Sequence, residues 1–182
     1  MINFIAPAFK TYPILVPSLI AQSCNDWQLK ICHDGPNDLF IRYMAGFNDP
    51  RIDCAALDQR LGNFGHPIRN LLLNQLQCHL NDYIIITNHD NYLLPNLVAK
   101  VSNCTEDIVI WDCLHNYVNY ERLYSYVEFA RIDVGCVAVK ARIAQEVGWK
   151  WMENPSDYLY IKACWQKSNN YKFLPFVFFV HN

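Results

Sequence analysis

The 182 residues carry 15 Lys and Arg against 17 Asp and Glu, a formal net charge of -2, with 52% hydrophobic, 14% aromatic and 18% charged residues. That length buries one sizeable core and predicts a single domain over residues 1–182, while the composition excludes a disordered or fibrous chain. The charge excludes a broad basic field for nucleic acid, so any phosphate must be held by a few placed groups.

In chain order, Asn3 to Ala6 predicts a first strand that Pro7 ends, since proline has no N–H for the ladder. Pro13 to Ser23 predicts a helix: Pro13 and Pro17 fit a first turn, and Leu15, Leu19 and Ile20 share a face. Trp27 to His33 is a second strand running into the turn Asp34-Gly35-Pro36-Asn37-Asp38. A short helix around Leu39 to Gly46, a strand around Arg51 to Leu57 and a flexible piece with Gly62 and Gly65 follow. Pro67 then starts a third helix on which Ile68, Leu71, Leu72, Gln75, Leu76 and Leu80 form a wide apolar stripe. Tyr83 to Thr87 is a nearly unbroken apolar run, the pattern of a central strand covered on both faces, and it empties into Asn88-His89-Asp90-Asn91. Beyond it lie a helix near Leu94 to Ser102, a strand Ile108 to Cys113, an aromatic stretch Tyr117 to Phe129 and the strand-like Val134 to Lys140. A helix around Ser156 to Gln166 and a last strand Lys172 to Val180 complete the series.

Alternating strands and helices predict an α/β fold, a mostly parallel sheet with helices on both faces. Ligands of such sheets bind beyond the carboxyl ends of the strands, so the polar groups after strands one, two and four are expected to converge on one crevice. No GxGxxG or P-loop motif follows the first strand and no nucleophile elbow appears, which disfavours dinucleotide, P-loop and serine-hydrolase chemistry. Cys24, Cys32, Cys54, Cys78, Cys104, Cys113, Cys136 and Cys164 form no CxxC pair and sit mostly in apolar runs, the pattern of free thiols in a reducing compartment. With no signal-like start and no membrane-length apolar run, the expected address is the cytoplasm.

Ile5-Ala6-Pro7-Ala8-Phe9-Lys10 looks like a strand ending in Pro-x-Tyr-Asn, and Ser18 to Ser23 followed by Trp27 looks like a Ser-x-x-x-Gln-Ser/Thr helix with an aromatic before strand two. Ile31 to Asp38 is similar to an apolar-apolar-Asp-Asp-Gly-Ser turn. Arg69 and Asn74, Asp82-Tyr83-Ile84, Asn88-His89-Asp90 with Pro95, and Ser156-Asp157 follow in matching order and spacing. Together these segments resemble the family 2 glycosyltransferases, which have the GT-A (Rossmann-like) fold.

The resemblance implies inverting transfer of a sugar from a nucleotide-diphosphate donor, UDP-type favoured, to a hydroxyl of a glycan or glycoconjugate. Pro7, Ala8 and Phe9 would line the base pocket, with Asp34 accepting from a uracil-like N3–H; Arg69 would lie near the base and phosphates, His89 would reach the ribose or phosphate, and Asn88 would bind the nucleotide beside it. Asp90, with His181, would hold Mn2+ or Mg2+, Asp157 would be the general base, and Asp133 would lie on the acceptor side. The residue types also allow plainer roles. Asp34 suits a turn before Gly35, Asp157 suits the dipole of a first helical turn, Arg69 suits a solvated helix start, and His181 suits a frayed end. The aromatic stretch suits core or a homo-oligomer contact as well as sugar stacking. Asn88 stands where the family has Asp and ligates a hard cation more weakly, which motivates an alternative: a catalytically inactive sugar-nucleotide or glycan binding module.

Overall fold

The computed structural model describes residues 1–153 and 155–182. Among the described residues nine strands make one sheet: β1 (Ile2–Ala8), β2 (Trp27–His33), β3 (Ile52–Ala56), β4 (Tyr83–Ile86), β5 (Tyr92–Leu93), β6 (Ile108–His115), β7 (Glu121–Leu123), β8 (Val137–Lys140) and β9 (Tyr171–His181). Their order is β3-β2-β1-β4-β8-β6-β9-β5, with β7 paired to β6. The pairings make β1, β2, β3, β4, β6 and β9 run one way and β5, β7 and β8 the other. The sheet is therefore mostly parallel, as expected. Every residue of β1 and β4 is buried, which requires cover on both faces. The cover comes from α1 (Leu15–Ile20), α2 (Asp38–Ala45), α3 (His66–Gln75), α4 (Leu97–Ser102), α5 (Ala141–Val147) and α6 (Ser156–Lys167).

Several boundaries differ from the sequence reading for physical reasons. Pro7 does not end β1; it sits opposite Cys32 within the strand and uses only its carbonyl, which accepts the His89 N–H at 3.3 Å. The first helix is only Leu15–Ile20, with Pro17 in its first turn, where no N–H is needed. The third helix stops at Gln75 because Leu76 turns extended, and Leu80 is left exposed. The strand β6 continues past Cys113 to His115, and that extension matters below. The predicted elements contain no counterpart of α5, since β8 runs into it directly with Lys140 as the junction and no turn residue marks the change.

Trp27, Trp111, Trp149, Tyr160, Phe4, Phe40 and Phe179 are the largest fully buried side chains. All eight cysteines are free, five of them buried. Among the described residues no helix is long and apolar enough to cross a membrane.

Candidate active site

Six co-directional strands bring their carboxyl ends to one edge, and there a cavity of about 570 Å³ opens. Its walls include Phe9 after β1, His66 and Arg69 from α3, Asn88 and Asp90 after β4, and His115 ending β6. Asp133 before β8, Asp157 in the first turn of α6 and His181 ending β9 also line it.

Arg69 ties these elements together. Its side chain donates from Nη1 to Asp157 Oδ1 at 3.1 Å and to His66 Nδ1 at 3.1 Å, and from Nη2 to Asn88 Oδ1 at 2.7 Å, while the guanidinium lies 4.8 Å from the Trp149 ring centroid. Only 3% exposed, it is no solvated helix start. Because Arg69 can only donate, His66 must be an acceptor at Nδ1, so its Nε2–H donates to Ser156 Oγ at 3.1 Å. Burial, reinforced by the Arg69 charge, pushes the His66 imidazole down to about 4. Burial also raises the Asp157 carboxyl above the ordinary aspartate range, with Arg69 pulling partly the other way.

His115 and His181 are register partners on neighbouring parallel strands, and their rings stack at 4.1 Å with an interplanar angle of 5°. That pairing depends on a break in the ladder: Trp111 pairs with Leu174, Asp112 with Val177 and Cys113 with Phe179, so β9 accommodates three residues more than β6 over this stretch. Pro175 lies in the break, where its missing N–H interrupts the ladder. Both Nε2 atoms face Asp133 Oδ2, at 3.8 Å from His115 and 3.6 Å from His181. Asp133 Oδ1 accepts the Gly135 N–H at 2.7 Å. Burial alone would raise the Asp133 carboxyl; the two imidazoles and the Gly135 N–H outweigh it and hold it below the usual value.

The divalent cation that the resemblance implies fits the Asn88-His89-Asp90 turn only in part. Asp90 faces the cavity with Lys10 Nζ 3.6 Å away, but Asn88 has committed its carbonyl to Arg69. Among the described residues the one set of three potential ligands that converges is His115, Asp133 and His181, whose donor atoms lie within 4.8 Å of one another.

The structure thus brings Phe9, Arg69, Asn88, Asp90, Asp133, Asp157 and His181 to one cavity, and it does not bring Pro7, Ala8, Asp34 or His89 to its wall. Pro7 and Ala8 lie within β1. Asp34 is buried and turns its carboxylate to the loop after β3, accepting the Leu61 N–H at 2.7 Å and the Gly62 N–H at 2.9 Å, with Arg60 Nε at 3.6 Å. His89 is 2% exposed, packed edge-on to Phe9 with ring centroids 5.6 Å apart. Sequence reasoning missed His66 and His115. The first lies one helical turn before Arg69, a spacing that puts both on one face; the second ends a strand, the same position that singled out Asp34 and Asp90.

No family model and no curated protein matches the sequence. Among solved structures, S. aureus TarS 1-349 superposes with a TM-score of 0.80 at 13% identity, over 100% of this chain and 60% of that one. GalNAc-T7, solved with UDP, GalNAc and Mn2+, gives 0.71 at 12% identity over 100% and 43%. The glycosyltransferase GlyE of Streptococcus pneumoniae TIGR4 gives 0.56 at 11% over 95% and 44%. The fold is the GT-A fold. At such identities the likeness concerns architecture, and this chain spans less than two thirds of the length of each of these proteins.

Proposed function

We propose that the protein is a glycosyltransferase that moves a sugar from a UDP-type nucleotide-diphosphate donor to a glycan hydroxyl with inversion. The observation that carries this reading is Arg69, a buried guanidinium held between the turn after β4 and Asp157, facing a cavity at the carboxyl edge of a GT-A sheet. A guanidinium fork there suits a diphosphate. The acceptor oxygen attacks the anomeric carbon, its proton passes to Asp157, and the bond to the diphosphate breaks with the electron pair leaving on the phosphate oxygen. Burial makes Asp157 a stronger base than an ordinary aspartate. A divalent cation, when bound, would neutralise charge on the leaving diphosphate. The base would enter beside Phe9 and reach Asp34 once the loop after β3 gives up its two amide bonds. UDP-bound TarS and UDP-bound GalNAc-T7, which share the architecture, support a uridine donor.

A thermal-shift screen against UDP, GDP, TDP and CMP, each with and without Mn2+, is expected to show stabilisation by UDP foremost. Asp157→Asn, with an unchanged melting temperature, is expected to lower transfer by roughly 100-fold or more. Full turnover by that variant would remove Asp157 from catalysis. The second reading, a non-catalytic sugar-nucleotide or glycan binding module, is favoured by the commitment of Asn88 to Arg69. It gains if the wild type binds UDP and turns over no donor.

A further inference from the structure

His115 ending β6, His181 ending β9 and Asp133 before β8 bring three potential ligand atoms within 4.8 Å of one another, and they do not satisfy one another. The gaps of 3.6 and 3.8 Å from Asp133 Oδ2 to the two Nε2 atoms are too long for hydrogen bonds. His181 Nδ1 lies 3.0 Å from Asn116 Oδ1, which fixes the ring with N–H at Nδ1 and a lone pair at Nε2 directed at the carboxylate. Two neighbouring parallel strands in this register, with an antiparallel neighbour entered just after Asp133, supply a scaffold on regular elements. Bonds of about 2.0–2.2 Å to a small cation place adjacent donors roughly 3–3.5 Å apart, so the two gaps to the carboxylate close by well under an ångström, and the His115 ring must tilt out of its stack on His181 for both lone pairs to meet one ion.

We propose that His115, Asp133 and His181 bind one first-row divalent transition-metal cation through two imidazole nitrogens and one carboxylate oxygen. The donor set favours Zn2+, Co2+ or Mn2+ over Mg2+ and Ca2+, which take oxygen ligands. The contact given up on loading is the 3.2 Å bond from Tyr117 N–H to His115 Nδ1; Tyr117 is 85% exposed, and its amide can pass to water. The site lines the same cavity as Arg69 and Asp157, and Asp90 at the turn after β4 is not needed to form it. This assignment gives Asp133 a cation in place of an acceptor hydroxyl.

Co2+ added to the metal-free protein without nucleotide should give a one-to-one complex with ligand-field absorption that Zn2+ displaces. The variants His115→Ala and Asp133→Asn should each weaken it at least about tenfold, and Asp90→Asn should leave it unchanged. In the wild type, whose fold is not at issue, substoichiometric Mn2+ should broaden the imidazole proton resonances of His115 and His181 before those of His33, His66 and His79. Absence of a Co2+ complex, wild-type affinity in a folded His115→Ala protein, or loss of binding in Asp90→Asn overturns the assignment. Because binding is read without donor or acceptor, its failure leaves the transferase reading standing, and failure to bind UDP leaves the metal site standing.

Discussion

Arg69 brings a full positive charge into a nearly dry position, which is costly unless every direction is matched. Asp157 offers the charge, His66 and Asn88 offer lone pairs, and Trp149 offers a ring face, so groups from four separate parts of the chain offset most of the cost, while the buried Nε–H has no protein partner among the described residues. The same guanidinium restrains Asp157, the proposed base. Burial raises Asp157 and Arg69 lowers it, so the acidic limb of kcat/KM is expected above the ordinary aspartate value of 3.8. On the proposed mechanism transfer requires the ionised carboxylate and therefore falls as pH drops through that limb. Arg69→Met removes the lowering influence and should move the limb further up while reducing kcat; an unmoved or lowered limb in a pH-rate profile would dissociate the two residues.

Among the elements, the loop before α3 holds four consecutive residues at positive φ. Gly62, Asn63, Phe64 and Gly65 all have positive φ, and the bulky Phe64 lies there at 52° on the cavity wall. This loop also supplies the two amides that occupy Asp34. At Gly65, with φ of 78°, an added Cβ would stand 2.6 Å from Pro7 Cβ and 2.9 Å from Phe9 Cζ. Gly65→Ala is therefore expected to cost roughly 2–4 kcal/mol in urea unfolding, from overpacking together with the left-handed backbone, and to weaken UDP binding by displacing Phe9. A variant as stable as the wild type would show that β1 and the loop yield freely. The break at Pro175 acts in the opposite sense, since an unslipped ladder would set Phe178 opposite His115 in place of His181.

For the whole molecule, acid sensitivity follows from histidines kept neutral by burial. His66 has a native value of about 4 against 6.5 for a free imidazole, so below pH 6.5 the unfolded chain takes up a proton the native state refuses. Stability present above 6.5 is lost as pH falls toward 4, by roughly 2–4 kcal/mol from this ring, and His89 and His181 act in the same direction. Asp157, raised rather than lowered, opposes the trend. Denaturant titrations at pH 7 and pH 4.5 should show the loss, and His66→Gln should flatten it; an equal slope in that variant would mean that other groups carry the effect.

How much was legible depends on how local the cause is. The strand Trp27–His33 is read to the residue because alternation and a terminal Asp-Gly turn are neighbours in sequence. The start of α6 at Ser156 and the placing of Asp157 in its first turn are local in the same way. So is the placing of polar groups after β4, of which Asn88 and Asp90 reach the cavity. His89, between them, goes to the core, since the turn points alternate side chains in different directions and only the packing of Phe9 decides which is covered. The same holds for Asp34, whose carboxylate a distant loop has occupied.

The order of apolar runs and turns thus determined an α/β sheet with its polar turns on one edge, because hydrophobic period and turn chemistry are properties of adjacent residues. Tertiary structure alone decided that Arg69 is buried between Asn88 and Asp157, and that a slip around Pro175 sets His181 against His115 beside Asp133. Both depend on which strands become neighbours and in what register, and that is settled by packing across the whole core.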